Sequence, residues 1–383
     1  MQNCIKRIKS SRLIKTIRMT VLILLCTILL STVGVMGYWG ITGTGTIAPF
    51  LDENGQILKG SIAEKTYLDV NGSRNGMILR GKDIGNPVLL FISGGPGVPQ
   101  YFLNEYYDNR IEDYFTVCWW DYKGEGLSYS SSYKPEDISL KGLKEDAIEV
   151  TEYLKDRFGK EKIYLMAHSG GTPLGIVLAK ENPEEYYAYF GMGQMVSEKV
   201  YGTREAAGYD FLKQIFLADG NDRALKEMNS LVDIREDQTV VPNDKCNGSK
   251  WENILLQAGC ATTREMRSDA LEIFFPNMAC HCYTLIEKIN YWRGKALCQK
   301  SRYAKEYDDY LAAMGYDFDI PVFFISGEYD YTCPVNMTQQ YLEAITAPEK
   351  KMFILENTAH SPYIEKNDEF IDILLECSHT EES

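Results

Sequence analysis

Short apolar runs alternate with helical patterns from about residue 60 onward, and this alternation constrains the fold more than any other feature. Residues 87–93, PVLLFIS, are almost wholly apolar and lead into glycines, which is typical of a strand buried on both faces. Residues 140–159 carry apolar side chains at helical spacing and stop at a glycine. Further strands are expected at 64–70, 76–82, 115–121, 162–167, 186–194, 320–330 and 351–357, and further helices at 172–183, 336–345 and 367–377. The pattern predicts an α/β fold with a mostly parallel eight-stranded sheet and helices on both faces.

One long stretch interrupts the alternation. Residues 196–318 read as mostly helical, acidic and aromatic, without a strand of comparable quality. We therefore expect a core whose first part covers 60–195, an inserted helical cap at 196–318, and a second core part at 319–377. Because the insertion begins after the end of a strand, the cap is expected over the carboxyl edge of the sheet, where ligands bind in such folds.

The N-terminus has the composition of a membrane anchor. Residues 1–18 form a basic tail, and residues 19–39 contain no charged side chain. At about 1.5 Å per residue such a helix spans roughly 30 Å, one hydrocarbon core. The basic flank predicts a single-pass helix with a cytoplasmic N-terminus, a linker at 40–59, and the rest of the chain outside. A cleaved signal peptide is the alternative.

Charge and cysteine content bear on partners. The chain has 383 residues and a formal net charge of −14, which argues against nucleic-acid binding, since phosphates favour a basic face. Of the ten cysteines, five fall within 246–298, and they are expected to be buried thiols or to form one or two disulfides of unknown pairing. These five are Cys246, Cys260, Cys280, Cys282 and Cys298. No second ligand pair accompanies ACHC at 279–282, so no metal is expected.

A serine stands between a strand and a helix in the stretch YLMAHSGGTPLG. A nucleophilic serine has to be exposed on a sharp turn, which requires small residues two positions before and after it. Ala167 and Gly171 meet that requirement around Ser169, although the strict pattern has glycine at the first position. The sequence thus predicts either a nucleophile at Ser169 or a polar residue at an ordinary turn.

A second glycine-rich turn, SGGPG at 93–97, follows an earlier strand. Backbone N–H groups at such a turn can bind a developing oxyanion. The amide of Gly170, together with that of Gly94 or Gly95, is expected to form this oxyanion hole. A plain Gly-Pro turn is the alternative.

The chain contains four histidines, and only His360 follows a strand in a suitable loop. The acid that orients such a base is expected after the preceding strand, where Glu328 and Asp330 stand, and Asp330 is preferred. The order Ser169, Asp330, His360 is that of the α/β-hydrolases.

These motifs resemble the prolyl iminopeptidase type of α/β-hydrolase over residues 60–375. The similar stretches are SGGPG, WWDYKGEGLSY (119–129), AHSGGTPLG, GEYDYTCP and AHSPYIEK (359–366). The resemblance implies a serine hydrolase with a helical cap that releases the N-terminal residue of small peptides, and no metal or organic cofactor.

Departures from the family pattern bear on the substrate. Ser93, Gly170 and the pair Tyr122–Lys123 replace the usual His, a bulky residue and Gln–Arg. In the family, cap carboxylates bind the substrate amine, and the candidates are Glu198, Glu205, Glu252, Glu265, Asp269, Glu272 and Glu287. Aromatic residues that could line a prolyl or acyl pocket, or form cap core, are Trp251, Phe274, Phe275, Tyr283, Tyr291 and Trp292. A carboxylic-ester or lipid-like hydrolase and an inactive surface binding protein are the alternative functions.

Overall fold

The computed structural model describes residues 2–268 and 270–378, with side chains from residue 16 onward. Its strands are β1 (Ile62–Val70), β2 (Ser73–Gly81), β3 (Val88–Ile92), β4 (Thr116–Asp121), β5 (Ile163–His168), β6 (Tyr186–Met192), β7 (Val232–Ile234), β8 (Val240–Pro242), β9 (Val322–Gly327) and β10 (Lys350–Leu355). Its helices are α1 (Gln2–Thr42), α2 (Tyr101–Tyr106), α3 (Leu140–Phe158), α4 (Thr172–Glu181), α5 (Glu198–Tyr201), α6 (Arg204–Ala218), α7 (Asp222–Asn229), α8 (Gly248–Ala258), α9 (Phe275–Ala279), α10 (Leu285–Cys298), α11 (Tyr303–Ala313), α12 (Val335–Ala344), α13 (Pro362–Glu365) and α14 (Asn367–Ser378). A π-helical turn, Ala270–Phe274, precedes α9.

Within the described residues, eight strands form one sheet in the order β1-β2-β4-β3-β5-β6-β9-β10. The pairs from β4 to β10 are parallel, whereas β2 is antiparallel to both β1 and β4. The predicted mostly parallel eight-stranded sheet is thereby confirmed. The chain passes from β3 outward to β4 and then returns to β5 on the other side of β3. The carboxyl ends of β3 and β5 therefore form the switch point at which ligands bind in open α/β sheets.

The two faces of the sheet bury separate apolar cores. Along β3, Leu90 and Ile92 belong to one core, and Leu89 and Phe91 belong to the other. Successive side chains of a strand point to opposite faces, so a strand covered on both sides is apolar throughout. This explains why PVLLFIS reads as a continuous apolar run, and it confirms the expected helices on both faces.

The insertion between β6 and β9 is mainly helical, with the short β7–β8 hairpin. It has an apolar core of its own, in which Trp251, Leu212 and Phe216 are buried. Helix α10 returns to the sheet domain, and a methyl group at Gly294 would lie 2.7 Å from the carbonyl oxygen of Gly124. The cap therefore contacts the loop after β4 through backbone atoms.

Helix α1 contains the predicted anchor. Within its segment Thr16–Thr42, the most apolar 18 residues have a mean hydropathy of 2.4, and none of them is buried. A helix of this length and composition can cross a membrane, and it is not a core helix. An N-terminal signal sequence would share these properties.

The end of α1 and the residues that follow it are bound by the cap. His281 Nδ1–H donates to the carbonyl oxygen of Thr42 over 2.8 Å, and Gly45 N–H donates to the carbonyl oxygen of His281 over 2.9 Å. Gly43 is buried, and a methyl group on it would lie 2.6 Å from the carbonyl oxygen of Tyr283. The end of the apolar helix thus continues directly into a packed contact with the cap.

Candidate active site

Ser169 lies on a sharp turn between β5 and α4. Its φ is +50°, a left-handed conformation that non-glycine residues seldom adopt. The side chain is partly exposed, whereas Gly170, Gly171 and His168 are buried. A strained serine lifted to the carboxyl edge of a parallel sheet is the geometry of a nucleophile elbow.

Close packing explains the small residues around this turn. A methyl group on Gly171 would lie 2.4 Å from the carbonyl oxygen of Ser93, so glycine is required there. At the first small position the chain has Ala167 instead of glycine. A methyl group on Gly175, one turn into α4, would lie 2.6 Å from the Cβ of Ala167. The glycine at 175 therefore provides the space that alanine needs at 167.

His360 and Asp330 are in direct contact. His360 Nδ1–H donates to Asp330 Oδ2 over 2.9 Å, and Asp330 is fully buried. The second carboxylate oxygen, Oδ1, accepts the backbone N–H of Cys333 over 2.9 Å. Glu328, the other candidate acid, accepts the backbone N–H of Asn357 instead. Of the two acidic residues in this loop, the structure thus brings Asp330 to the histidine.

The other ring nitrogen of His360 is available. Nε2 is buried and has no hydrogen-bond partner among the described residues, Ser169 Oγ included. Burial lowers the pKa of His360, but the charge and hydrogen bond of Asp330 outweigh it, so the pKa lies above its ordinary value. Because Nδ1 carries the hydrogen donated to Asp330, the neutral ring has an unprotonated Nε2, which is the form of a general base.

His168 connects the serine turn to the histidine loop. Its Nε2 lies 2.8 Å from the carbonyl oxygen of His360, which can only accept, so Nε2 carries the hydrogen. Its Nδ1 therefore accepts from Gln100 Nε2 over 2.7 Å. Burial, with the neighbouring His360, lowers the pKa of His168 to about 3. His168 is thus neutral, and it links the serine turn to Gln100 and to the backbone of the histidine loop.

The two glycine-rich turns meet above the switch point. Ile92 pairs with Ala167 across β3 and β5, which places the turns that follow side by side. A methyl group on Gly170 would lie 3.0 Å from the amide nitrogen of Gly95. The amide of Gly94 is already used, because it donates to Gln100 Oε1 over 3.1 Å. Gly94 and Gly95 were the two candidate donors to the oxyanion. The backbone amide of Gly95 lies beside Gly170 and does not donate to Gln100, so Gly95 is the better candidate.

The loop after β4 supports the SGGPG turn. Gly97 N–H donates to the hydroxyl of Tyr122 over 2.8 Å. Tyr122 N–H in turn donates to Glu125 Oε1, and Asp121 Oδ2 accepts the N–H of Leu127. Burial raises the pKa of Asp121 to about 7. Tyr122, which replaces the glutamine of the family pattern, thus holds the first glycine-rich turn in place.

Two cap residues bind the acid loop and the histidine loop. His360 N–H donates to the carbonyl oxygen of Ala261 over 3.0 Å, and Tyr331 N–H donates to that of Cys260 over 3.3 Å. Cys260 and Ala261 follow α8 and belong to the cap core. The backbones of the histidine loop and of the acid loop are therefore both attached to the cap.

The predicted cap carboxylates lie in several separate places, and three of them form one group. Glu198, Glu205 and Glu252 surround Arg204, with the Arg204 side chain 3.6 Å from Glu205 and 3.8 Å from Glu252. The backbone N–H of Arg204 donates to Glu198. Burial, with the nearby Glu205, raises the pKa of Glu198. Of this group, Glu198 and Arg204 line a cavity of about 90 Å³ that is also lined by Cys333, whose N–H binds Asp330 Oδ1.

The remaining carboxylate candidates lie elsewhere. Glu287 binds Lys65 over 2.8 Å, and Glu265 and Glu272 border a separate cavity of about 420 Å³. Asp269 lies outside the described residues. Of the aromatic candidates, Trp251, Tyr283 and Tyr291 are buried in the packing, whereas Trp292 packs on Phe274 and Phe275 is exposed.

The five clustered cysteines are free thiols. Cys260, Cys282 and Cys298 are fully buried, and burial raises the pKa of Cys260 to about 12. Among the described residues no cluster of side chains could hold a metal ion. The structure therefore places Cys260, Cys282 and Cys298 in apolar packing, whereas Cys246 and Cys280 are only partly buried.

Sequence reasoning missed several residues of the site. Gln100 has no motif to mark it, yet it binds Gly94 and His168 and donates to the hydroxyl of Tyr363. Gly193 was also missed; its φ is +54°, and a methyl group on it would lie 2.7 Å from His360 Cε1. Its position at the end of β6, beside the other strand ends, was the one available signal.

An open parallel sheet with a serine turn, a histidine loop and an inserted cap defines the class of α/β-hydrolases. Comparisons with known proteins agree. The chain is 29% identical over 319 residues to the probable aminopeptidase YbaC of Bacillus subtilis (strain 168), covering 82% of this chain and 96% of that protein. No protein-family model matches the chain.

Solved structures share the fold. A proline iminopeptidase from Mycobacterium smegmatis superposes with a TM-score of 0.55 at 14% identity, covering 82% of this chain and 98% of that one. Epoxide hydrolase A from Mycobacterium thermoresistibile gives 0.50 at 15% identity, with 83% and 99% covered. The chain therefore has the fold of the α/β-hydrolases, and it is similar to a probable aminopeptidase in sequence and to a proline iminopeptidase in fold.

Proposed function

We propose that this chain is a membrane-anchored serine hydrolase that releases an N-terminal residue, of proline type, from small peptides through an acyl-enzyme. One observation carries the catalytic part: buried Asp330 binds His360 Nδ1, and Nε2 is left without a partner at the strand edge that presents Ser169. The similarity to a probable aminopeptidase supports the substrate class.

The mechanism follows from these residues. His360 Nε2 takes the proton of Ser169 while Oγ attacks the carbonyl carbon, and Asp330 stabilises the imidazolium. The amides of Gly95 and Gly170 bind the oxyanion. The imidazolium then protonates the leaving amine as the carbon–nitrogen bond breaks. A water, deprotonated by His360, hydrolyses the acyl-enzyme and restores the serine.

The acidic group around Arg204 is the proposed site for the substrate's amine. Glu205 and Glu252 lie within 4 Å of the Arg204 guanidinium, and Glu198 accepts the Arg204 backbone N–H. The charge of Glu252 raises the pKa of His360, and that of Arg204 lowers it. The net negative charge beside the acid loop favours a cationic N-terminus. The same triad without amine recognition would give the second candidate, a carboxylic-ester hydrolase.

Fluorophosphonate labelling of the full chain in detergent tests the activated serine. We expect wild type to be labelled and Ser169→Ala and His360→Ala not to be labelled. Ser132→Ala, which changes an exposed serine away from the site, is the control and should be labelled like wild type. Labelling that survives in folded Ser169→Ala would refute the assignment.

Substrate comparison separates the two candidate functions. An aminopeptidase hydrolyses proline arylamide but not its N-acetylated form, whereas an esterase prefers a short-chain aryl ester. Glu252→Gln should lower kcat/KM for the free-amine arylamide by roughly 10- to 100-fold, as for loss of one charge-assisted hydrogen bond. Glu287→Gln, a cap carboxylate bound to Lys65, is the matched control. Equal turnover of the acetylated and free substrates would favour the esterase.

A further inference from the structure

Three large apolar side chains of the cap are exposed in successive elements of the chain. Leu271 in the π-helical turn is 65% exposed, Phe275 at the start of α9 is 48% exposed, and Ile286 in the first turn of α10 is 65% exposed. The nearby Glu272 is turned back, because its Oε2 accepts the N–H groups of Arg267 and Ser268. This leaves an apolar surface, which we call the cap patch.

The cap patch lies at the end of the apolar helix. The ring of Trp39 meets the ring of Phe274, next to Phe275, edge to face at 6.2 Å between centroids. A methyl group on Gly40 would lie 3.6 Å from Leu285 Cδ2, next to Ile286. Each contact thus joins the last residues of the apolar run to the immediate neighbour of a patch residue.

The depth of these residues follows from the aromatic end of the helix. Tyr38 and Trp39 end the uncharged run, and such aromatic residues lie at the level of the lipid headgroups. That interfacial layer is about 5 to 7 Å thick on each side of the hydrocarbon core. A separation of 6.2 Å between ring centroids keeps Phe274 within about 6 Å of Trp39 in depth, which is close to the thickness of this layer. The next residue, Phe275, would then be close enough to reach it.

We propose that Leu271, Phe275 and Ile286 form a membrane-contact surface that inserts into the outer interfacial layer of the bilayer that α1 spans. The proposal rests on the membrane anchoring proposed above and adds a second, non-covalent attachment by the cap. Apolar side chains gain by leaving water for this layer, and a half-exposed aromatic is well suited to it. The bilayer then fixes the orientation of α10, which also packs on the loop after β4.

Lipid quenching of an introduced tryptophan tests the contact. The full chain, one copy per nanodisc, is reconstituted in phosphatidylcholine with or without bromine on the acyl chains. We expect the tryptophan of Phe275→Trp to lose most of its emission in brominated lipid. Ile354→Trp on the edge strand β10 is the matched control, because Ile354 is 47% exposed, and it should keep its emission. Ile286→Trp provides a second position within the patch.

The outcomes separate the cap patch from the anchor. The loss of emission in brominated lipid is compared between wild type and Trp39→Phe, and the difference reports whether the end of α1 lies in the membrane. Quenching at position 39 without quenching at 275 or 286 would overturn the membrane-contact surface and leave the anchor in place. Absence of quenching at all three positions would refute both proposals. If the emission of the tryptophan at position 275 changes only with two copies per disc, the patch contacts another chain, and the membrane-contact surface is also overturned.

Discussion

At the scale of single residues, the candidate site depends on which nitrogen of each histidine carries a hydrogen. His360 directs Nδ1–H to Asp330, and His168 directs Nε2–H to the backbone of His360. The two neighbouring rings, 4.7 Å apart between centroids, therefore have opposite tautomers. One is arranged to exchange a proton, whereas the other is arranged to stay neutral.

The raised pKa of His360 predicts the pH dependence of activity. The base has to be neutral, so kcat/KM should fall as pH decreases through a midpoint above about 6.5, the ordinary value for histidine. Asp330→Asn removes the charge that raises the pKa. With its oxygen on the N–H of Cys333, the amide presents an NH₂ donor to His360 Nδ1 and favours the wrong tautomer, so kcat should fall by about 10³- to 10⁴-fold. A pH profile of both proteins checks this. An acid limb below 6 in wild type would mean that burial outweighs Asp330, or that His360 is not the base.

Replacement of His168 should change the position of the His360 loop and the free energy of unfolding, but not the pH dependence of activity. His168→Leu leaves the carbonyl oxygen of His360 and the amide of Gln100 without their partner, at about 1–3 kcal/mol for each buried group. We expect a lower free energy of unfolding in urea and slower fluorophosphonate labelling. The midpoint of the acid limb should stay close to that of wild type, since His168 is neutral throughout the range. A large shift of that midpoint would instead show that His168 titrates with the site.

The residue types of the site could be predicted because chemistry restricts them. One serine lies between small residues, and one histidine follows the last strand, so Ser169 and His360 could be selected from sequence. Gln100 and Gly193 could not be selected, because their contacts with His168 and His360 arise only after distant strand ends are brought together. Likewise, the choice between Gly94 and Gly95 depended on a hydrogen bond from Gln100 that has no signature in the sequence.

At the scale of elements, the turn after β5 and the turn after β3 are packed backbone to backbone. Gly170 has an ordinary φ, so any effect of a side chain there is steric. Gly170→Ala would place Cβ 2.7 Å from the carbonyl carbon of Gly95 and 2.8 Å from the nitrogen of Pro96. The SGGPG turn has to move away, and the proposed oxyanion hole widens.

We therefore expect Gly170→Ala to lower kcat by about 10²- to 10³-fold, as when an oxyanion donor is lost, while the protein still folds. Steady-state kinetics and thermal unfolding measure the two effects. Gly142→Ala in α3 is the control, because it replaces a helical glycine and should stabilise the protein by up to about 1 kcal/mol without changing kcat. Unchanged kcat in Gly170→Ala would argue against an oxyanion role for this turn.

The strands and helices of the sheet domain were predictable because their burial leaves a period in the sequence. Strands β3 and β5 are buried at every residue and read as apolar runs, and α3 ends at Gly159, as the stop signal indicated. The cap was less predictable. The β7–β8 hairpin has only three residues in each strand, and such short pairing leaves no detectable alternation. The order of strands in the sheet also follows from packing rather than from any local pattern.

At the scale of the whole molecule, membrane attachment and orientation remain predictions with a direct test. We expect the full chain to stay in the membrane pellet after alkaline carbonate extraction, with its N-terminus intact by mass spectrometry. Protease added outside intact cells should remove the folded domain, since the basic flank favours a cytoplasmic N-terminus. Leu24→Arg/Leu29→Arg should weaken retention, because charges near the middle of a span oppose insertion. A soluble product that begins after residue 39 would instead identify a cleaved signal peptide.

The backbone hydrogen bonds from the cap to the acid and histidine loops would couple any movement of the cap to the proposed chemistry. His360 N–H binds Ala261, and Tyr331 N–H binds Cys260. If the cap swings away to exchange product for substrate, those bonds break, and the base loses its alignment during the exchange. Each cycle is then divided between a period of exchange and a period of chemistry. The fraction of time that the cap stays closed would set an upper bound on the observed rate, however fast the chemical step is.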